Sequence, residues 1–548
     1  MAVLAEQQVI KGGAFLTNEC AAEDIFTPED FTEEQRMIAD TTRRFVDNEV
    51  TPRIAQLEQH DWRLARDLVR HAAELGLMGA TIPPTYGGLG LNHTTGSLIA
   101  ENLGRCVSFA STCLPHTGMG LWSIIHFGTD TARLNYLPRI GSGELITGYA
   151  MTEAGAGSDV LAARTTAHLS EDGTHYILNG EKVFITNGGV ADIFIVFAKL
   201  DGKLTGFIVE AQEGVTRGVE ERKMGIRGSS TTSLVFTDVK VPRENLLGEA
   251  GMGQKIAFGI LSLGRCNLAA ISLGATKLMV EQATRYAKER KQFGRSISSF
   301  GAIRAKLAEM TIRTWVGESM IYRTLGLIDA GVSAIVANDS NDPNGSVAWL
   351  RGIEEYAAEC SIVKVAVTEY CNYVADEMVQ IYGGYGYVAD YPAERAYRDS
   401  RLNRIAEGTN EINRLIISSG LIKSVTRECL PFAEDARPRD YERTLLRKAK
   451  EAALTSLRMA AQMNKLALPE QQAIMMAIAD IVIDTYAMES AILRTQKAGA
   501  LSSYVDMTQV FCADAIQRIE VTLKNIISAV DGGGPLAVRQ RIGKAIQS

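Results

Sequence analysis

The hydrophobic periodicity of this chain changes twice along its length, and these changes restrict the fold more than any other feature. From about residue 31 to residue 140 apolar residues recur at helical spacing, and Thr32 with Gln35 forms the pattern of a helix capping box. From residue 146 short β-rich runs follow, and after Gly253 long helical patterns return. The sequence therefore predicts a multidomain α+β protein with domains in the order α, β, α.

The predicted domain boundaries follow these changes of period. We expect an N-terminal extension (1–30), an N-terminal helical domain (31–145), a middle antiparallel β domain (146–254), a C-terminal four-helix bundle (255–430) and an additional C-terminal helical segment (431–548). The last boundary rests on PFAEDARPRD at 431–440, which carries two prolines and dense charge, as linkers do. A polar break at 336–346, VANDSNDPNGS, predicts a loop between two bundle helices.

Three apolar runs in the β domain predict strands that begin near residues 192, 204 and 232. Between two further β-rich runs lies Asn179-Gly180, a dipeptide that favours two-residue hairpin turns. We therefore expect a hairpin at Asn179-Gly180.

Composition and charge exclude several classes of function. Lys and Arg number 57 against 64 Asp and Glu, a net charge of -7 that is too acidic for a dedicated nucleic-acid binder. The eight cysteines are scattered without C-x-x-C spacing, which fits a reducing interior, and no zinc motif is present, so we predict no metal. No secretory signal is readable, and charges interrupt the longest apolar stretches, so we expect no membrane span and a cytoplasmic location.

The motifs of nicotinamide-binding Rossmann folds, P-loops and serine hydrolases are absent, and several glycine-rich segments remain. In YAMTEAGAGSDV (149–160) the backbone amides of a glycine turn can approach an anion or a ring, although a structural loop explains the segment equally well. QIYGGYGY (380–387) offers a similar backbone approach to phosphate. In RIAEGTNEINR (404–414), Glu407 stands at a bend between helices, either aimed into a cavity or capping a solvated helix.

Six motifs in order, MTEAGAGSDV, EKVFITNGG, KMGIRGSSTTSLVFTDVKVP, ERKQFG, QIYGGYGY and RIAEGTNE, resemble the acyl-CoA dehydrogenase family. The resemblance covers about residues 31–425, and the additional C-terminal segment resembles the very-long-chain branch, whose members carry an extra helical domain. It implies an FAD cofactor between the β domain and the bundle.

The resemblance also assigns residues to the cofactor. It places Thr409 and Glu411 against the cofactor beside the base. It implies contacts to the flavin from the β side by Met151, Thr152, Gly157, Ser158, Phe184 and Thr186. It further implies that Arg290, Gln292, Phe293, Gln380, Gly383 and Gly384 hold the adenosine and pyrophosphate of an FAD bound mainly to a neighbouring subunit.

The family mechanism is α,β-desaturation of an acyl-CoA thioester, and Glu407 matches its base. The flavin takes the hydride from Cβ while the base removes the α-proton, and the Glu407 backbone N–H with a ribityl hydroxyl binds the thioester oxygen. The substrate contacts that the resemblance implies are Ser158, Ser262, Arg265 and Gly408. Some branches carry the base just before the shared arginine, but here that residue is Gly264.

The resulting prediction is an FAD-dependent dehydrogenase of long-chain fatty acyl-CoA in β-oxidation, a homodimer or homotetramer that passes electrons to an electron-transfer flavoprotein. One departure from the family pattern affects the predicted length of the acyl chain. Ala406 stands directly before Glu407, where an aromatic residue is frequent in the family. The alternatives are an acyl-CoA oxidase that uses oxygen and an inactive scaffold of the same fold. A further hypothesis is peripheral contact with the inner membrane through the basic residues Arg443, Arg447, Lys448 and Lys450, against a solvated helix face as the alternative.

Overall fold

The computed structural model describes residues 10–338, 345–428, 441–463, 471–530 and 532–547. The first helical domain holds α1 (Glu33–Phe45), α2 (Ile54–Glu58), α3 (Trp62–Glu74), α4 (His93–Leu103), α5 (Val107–Leu114), α6 (Gly120–Phe127) and α7 (Asp130–Gly141). Helix α1 begins as the sequence predicts, because Thr32 accepts a hydrogen bond from the Gln35 amide and Gln35 returns one to Thr32. A π-helical turn, Pro115–Met119, joins α5 to α6.

The middle domain is an eight-stranded sheet. Its strands are β1 (Thr147–Ala150), β2 (Thr166–Leu169), β3 (His175–Thr186), β4 (Ile193–Leu200), β5 (Lys203–Glu210), β6 (Val215–Arg217), β7 (Thr231–Pro242) and β8 (Leu246–Leu247). The order is β6-β7-β3-β2-β4-β5-β8, with β1 added on β4. Most pairs are antiparallel, as predicted, and the pairs β1–β4 and β2–β4 are parallel. The three strands predicted near 192, 204 and 232 are β4, β5 and β7.

The predicted Asn179-Gly180 hairpin is wrong, because both residues lie inside the continuous strand β3. Gly180 has φ +150°, and a Cβ there would lie 2.7 Å from the Thr165 Cα. The register with β7 shifts beside it. The glycine therefore serves a bulge and a close backbone approach, and the turn between β2 and β3 falls at Asp172 and Gly173 instead.

The bundle is built from long helices that follow the sheet. They are α8 (Gly253–Glu289), α9 (Gly301–Asn338), α10 (Ser346–Glu355), α11 (Ala357–Tyr382), α12 (Pro392–Ser400) and α13 (Asn410–Glu428). A small hairpin of β9 (Lys291–Gln292) and β10 (Arg295–Ser296) separates α8 from α9. The predicted loop at 336–346 begins inside α9, and its residues 339–344 lie outside the described residues.

The additional helical domain contains α14 (Tyr441–Gln462), α15 (Gln472–Lys497), α16 (Ser502–Val530) and α17 (Gly534–Gln547). Its apolar core is continuous with that of the bundle, the sheet and the first domain. The linker predicted at 431–440 lies outside the described residues.

Two bundle helices, Gly253–Glu289 and Gly301–Val336, are long and apolar enough to cross a membrane, although the sequence led us to expect no such stretch. Their most apolar windows are 94% and 61% buried inside the protein. Packing within the bundle accounts for this apolar character.

The N-terminal extension packs against the bundle and the additional domain. The Gly13 amide donates to Glu359 at 2.7 Å, and the Tyr356 hydroxyl donates to the Ile10 carbonyl at 2.8 Å. Farther along, Arg494 pairs with Glu29 at 3.0 Å. Residues 10–30 therefore bridge the two helical domains.

Candidate active site

Glu407 lies in the short turn that precedes α13, in a backbone conformation that few side chains adopt. Its φ is +56°, and Gly408 follows at +82°. Arg265 of α8 donates from Nε to the Glu407 carbonyl at 3.2 Å, and Asn413 donates from Nδ2 to the Gly408 carbonyl at 2.8 Å. These two side chains hold the left-handed turn that presents Glu407. Among the described residues no acceptor engages the Glu407 amide, the donor that the resemblance directs at the thioester oxygen.

A third side chain, which the motifs did not single out, also holds this turn. Lys364 of α11 is 0% exposed and donates from Nζ to the Gly408 carbonyl at 2.7 Å and to Asn410 Oδ1 at 2.8 Å. Burial lowers the pKa of Lys364 to about 7, with the charge of Glu407 opposing that shift. The signal in the sequence was a lysine inside the apolar helical run CSIVKVAV.

The electrostatics of Glu407 suit a general base. Desolvation by burial raises the pKa of Glu407, while the cations of Arg265 and Lys364 partly offset that increase. Tyr149 of β1 lies close enough for Glu407 to raise its pKa further above the value set by burial. The Tyr149 hydroxyl is buried and has no hydrogen-bond partner among the described residues.

Gly264 faces Glu407 across a narrow gap. A Cβ built on Gly264 would lie 3.5 Å from Glu407 Oε2 and 3.4 Å from Met119 of the π-helical turn. A side chain at Gly264 would thus reach the same space as Glu407, which explains physically how two chain positions can supply one base. Ser262, two residues earlier, donates its hydroxyl to the Phe258 carbonyl at 2.9 Å.

The loop that opens with Met151 is fastened to β3 by a buried ion pair. Lys182 donates from Nζ to Glu153 at 2.7 Å and to the Met151 carbonyl at 3.2 Å, and Thr165 donates its hydroxyl to Glu153 at 2.6 Å. Although burial raises the pKa of Glu153, its hydrogen bonds bring that pKa down to about 2. The loop is therefore a rigid support.

The predicted flavin contacts of the β side surround this loop. The Val183 amide donates to the Thr152 carbonyl at 2.9 Å, so the next residue of β3, Phe184, stands beside the loop. Phe184 is 65% exposed with φ +58°. A Cβ built on Gly157 would meet nothing within 4 Å, which leaves its backbone open to a ligand. Ser158 is also exposed, and Thr186 is half-buried.

The structure brings the two motifs assigned to adenosine and pyrophosphate together at the far end of α8. The Arg290 guanidinium lies 5.4 Å from the Tyr385 ring centroid, and Tyr286 stacks on Tyr382 at 4.0 Å. The other assigned residues here are exposed: Gln292, Phe293, Gln380, Gly383 and Gly384. Along α8, Gly264 and Arg290 are separated by about 40 Å. One chain therefore presents the base and this surface at widely separated places.

Thr409 and Glu411 follow Glu407 into α13, as the motif predicts. The Thr409 hydroxyl accepts from the Ile412 amide at 3.3 Å, the bond of a helix N-cap. Hydrogen bonds from its own backbone and from Thr409 lower the pKa of Glu411. Nearby Arg404 lines a cleft of 390 Å³, and its buried Nε has no partner among the described residues.

Among the residues that the structure describes, no three His, Cys, Asp or Glu side chains are grouped as metal ligands. The seven cysteines in the same ranges are free thiols.

Comparisons with known proteins agree with this arrangement. Profiles of the acyl-CoA dehydrogenase N-terminal, middle and C-terminal domains match residues 32–144, 148–239 and 251–422. A further acyl-CoA dehydrogenase C-terminal domain profile matches residues 448–540. A probable acyl-CoA dehydrogenase of Bacillus subtilis is 43% identical over 553 residues, covering 96% of this chain and 93% of that protein. The chain belongs to the acyl-CoA dehydrogenase family.

Two further relatives extend the comparison within the acyl-CoA dehydrogenase family. The crystal structure of an acyl-CoA dehydrogenase complexed with FAD from Bacillus anthracis is 44% identical, has a TM-score of 0.91, and matches 97% of this chain and 94% of that chain. The mitochondrial very long-chain specific acyl-CoA dehydrogenase of Mus musculus is 39% identical over 364 residues, which is 64% of this chain and 52% of that protein. The predicted four-part acyl-CoA dehydrogenase architecture is confirmed.

Proposed function

We propose that this acyl-CoA dehydrogenase uses FAD to convert long-chain fatty acyl-CoA into trans-2-enoyl-CoA in fatty-acid β-oxidation, with Glu407 as the base. The observation that carries the proposal is Glu407 itself, a desolvated carboxylate in a left-handed turn, held by Arg265 beside the small residue Gly264. Its raised pKa matches the need to take a proton from carbon.

The described residues fit FAD at both ends of the cofactor. The exposed Phe184 and the open backbone at Gly157 suit a planar ring, and the exposed Arg290 suits a pyrophosphate. Arg404 adds a buried guanidinium N–H with no partner among the described residues. When bound, FAD supplies the acceptor for the hydride that leaves Cβ of the substrate.

The chain's own residues then perform the proton chemistry. Glu407 Oε2 accepts the α-proton of the acyl-CoA thioester. The Glu407 amide donates to the thioester oxygen, where negative charge develops. Arg265, which is 6% exposed, keeps its cation near Glu407 and donates a hydrogen bond to the Glu407 carbonyl. The Met151 loop, fastened to β3 by Lys182, supports the face on which the flavin is proposed to lie.

A second copy of the chain completes each cofactor site in this proposal. The surface around Arg290 is exposed and lies about 40 Å along α8 from Gly264, farther than one FAD molecule reaches. Two chains related by a two-fold axis can each lend this surface to the other's base. We therefore propose a homodimer or homotetramer.

We further propose an electron-transfer flavoprotein as the acceptor and a cytoplasmic location. The membrane hypothesis for α14 receives less support, because Lys450 donates to Glu489 and to the Asn18 carbonyl, and Arg443 donates to Gln496 at 2.9 Å. We favour a packing role for Lys450 and Arg443. Sedimentation of the protein with anionic vesicles tests the membrane hypothesis against this packing role.

The experiment is an acyl-CoA series from short to very long chains, mixed anaerobically with the purified flavoprotein while flavin bleaching is recorded. Wild type is expected to bleach, most rapidly with long chains. Glu407→Gln keeps the shape of the side chain and removes the proton acceptor, so its bleaching rate is expected to fall by about 10²- to 10⁴-fold while acyl-CoA still binds. Adding Gly264→Glu to this variant is expected to restore part of the rate, because that position reaches Glu407 Oε2.

Near wild-type bleaching by Glu407→Gln would remove Glu407 from the mechanism. Reoxidation of the reduced protein in air separates the alternatives, since rapid turnover with oxygen would identify an oxidase. A protein that neither binds FAD nor bleaches with any acyl-CoA would favour the scaffold alternative.

A further inference from the structure

We propose that Lys364 and Asn410 are the positioning residues of the base, fixing Glu407 by holding the turn that carries it. The inference rests on the proposed role of Glu407 and adds two residues to it. Lys364 is rooted in α11, and Asn410 is the first residue of α13. Through these contacts the buried ammonium of Lys364 donates a hydrogen bond to the carbonyl of Gly408, the residue that follows Glu407.

The conformation of Glu407 requires such a support. A residue other than glycine at φ +56° is strained relative to an ordinary conformation. The turn therefore persists only where its carbonyls are held from outside. Arg265 holds the Glu407 carbonyl, and Lys364 with Asn413 holds the Gly408 carbonyl.

Among the described residues, the Lys364 side chain makes hydrogen bonds only to the segment that carries Glu407. Its side chain is 0% exposed, and both hydrogen bonds of its ammonium end on the Glu407–Asn410 segment, at 2.7 and 2.8 Å. A buried ammonium is retained only where its partners offset the cost of desolvation. Here both hydrogen-bond acceptors belong to the Glu407–Asn410 segment, and the charges of Glu407, Glu411 and Glu369 also favour the ammonium.

Asn410 is itself held from the far side. Its Nδ2 donates to Glu369 at 3.1 Å, which orients its Oδ1 toward Lys364. Glu369 in turn receives two hydrogen bonds from Arg414, at 2.8 and 3.0 Å, and Arg414 also donates to Asp480 of α15 at 2.8 Å. The support of the base thus extends to the additional helical domain.

Lys364 also acts on the charge of Glu407. The ionisable groups that act on Glu407 or on Lys364 come from four elements: Arg265 of α8 and Tyr149 of β1 act on Glu407, and Glu369 of α11 and Glu411 of α13 act on Lys364. Arg265 and Lys364 lower the pKa of Glu407, so removing one of these cations raises it. The acidic limb of the rate profile then moves to higher pH, because Glu407 must be ionised to act.

The test compares Lys364→Met with Lys306→Met, each in the FAD-loaded protein. Lys306 is the control because it pairs with Glu377 of the same helix α11 and makes no contact with the turn. Three quantities are measured: the rate of flavin bleaching at saturating acyl-CoA across pH, the dissociation constant of the acyl-CoA, and backbone hydrogen exchange of residues 405–415 without substrate.

For Lys364→Met we expect a bleaching rate lower by about 10- to 100-fold, the effect of a misplaced group, with a dissociation constant within about threefold of wild type. We also expect an acidic limb at higher pH and faster exchange at 405–415. Lys306→Met should match wild type in all of these. Should Lys364→Met lose FAD, Asn410→Leu carries the same expectations apart from the shift in pH.

A bleaching rate within twofold of wild type, with an unchanged pH profile and unchanged exchange, would overturn the positioning role. Failure of wild type to bleach with any acyl-CoA is a separate result, which rejects the proposed function instead. The two failures are therefore distinguished by the wild-type measurement alone.

Discussion

Glu407 belongs to a small group of residues with strained backbone. Nine residues other than glycine have positive φ in the described ranges, and three of them, Phe184, Phe293 and Glu407, are predicted site residues. Such conformations persist where the surrounding structure determines them, and they concentrate at functional sites. The backbone therefore marks these positions independently of the motifs.

Arg290→Ala is expected to weaken retention of FAD much more than it alters the chemical step in fully loaded enzyme. The guanidinium is exposed beside Tyr385, and a phosphate-directed cation contributes equally to binding the ground and transition states. FAD content after dialysis and bleaching at saturating FAD measure the two effects. Arg295→Ala, on the same hairpin but stacked on Phe300, is the control and should retain FAD. Loss of bleaching at saturating FAD would place Arg290 in the chemical step.

The motifs pointed to Glu407 as the candidate base and to the glycine turns, but they did not reveal the residues that hold Glu407 in place. Lys364 and Asn413 bind a backbone carbonyl and Asn410 binds Lys364 through its side-chain amide, and no residue type is specific to these contacts. The spacing of Lys364 from Glu407 is set by the packing of α11 against α13, which the sequence alone does not specify.

Helix α11 offers a buried carboxylate to the N-terminal extension. Glu359 is 1% exposed, accepts from the Gly13 amide at 2.7 Å, and has one oxygen without a partner among the described residues. Burial raises the pKa of Glu359 to about 7, with Gly13 and Arg323 opposing the shift and Glu355 reinforcing it. The folded protein therefore keeps a proton that the unfolded chain releases near pH 4.5.

Between about pH 4.5 and 7 the free energy of unfolding is consequently expected to fall as pH rises. Glu359→Gln keeps an oxygen for Gly13 and cannot ionise, so its advantage over wild type should grow through this window to roughly 3 kcal/mol at most. Thermal unfolding from pH 5 to 8 measures it. Glu355→Gln keeps an oxygen for the Gly12 amide and leaves Glu359 ionisable, so it should show much less growth. A constant difference between Glu359→Gln and wild type would contradict this linkage.

Local signals were reliable where one segment satisfied its own hydrogen bonds. The capping box of α1 is confirmed because both of its bonds lie within four residues. Asn179-Gly180 misled because the close approach of Thr165 from another segment requires the glycine there. That requirement depends on tertiary contact and is absent from the local sequence pattern.

A network of buried ion pairs connects the domains of the whole molecule. Arg494 of α15, 4% exposed, pairs with Glu29 of the extension and with Glu318 of α9. Glu318 also pairs with Lys277 of α8, which in turn pairs with Glu101 of α4. Four parts of the chain therefore meet in one set of charges.

Arg494→Met is expected to destabilise the protein by about 3 kcal/mol, because Glu29 loses its ion pair with Arg494 and the buried Glu318 keeps only Lys277. The apparent unfolding midpoint in urea measures it. Arg447→Met removes a half-exposed pair with Glu451 inside the additional domain and should cost about 1 kcal/mol or less. Equal effects of the two substitutions would show that the network does not join the domains energetically.

The docking of residues 10–30 onto Arg494 and Lys497 also sets an order of events during synthesis. Residues 10–30 can reach Tyr356 and Glu359 earlier, but they meet Arg494 and Lys497 only after about 470 further residues have been made. At about 5 to 20 residues per second, that interval is roughly 25 to 100 s. The docking of this segment onto α15 is therefore a late step that follows the synthesis of the bundle.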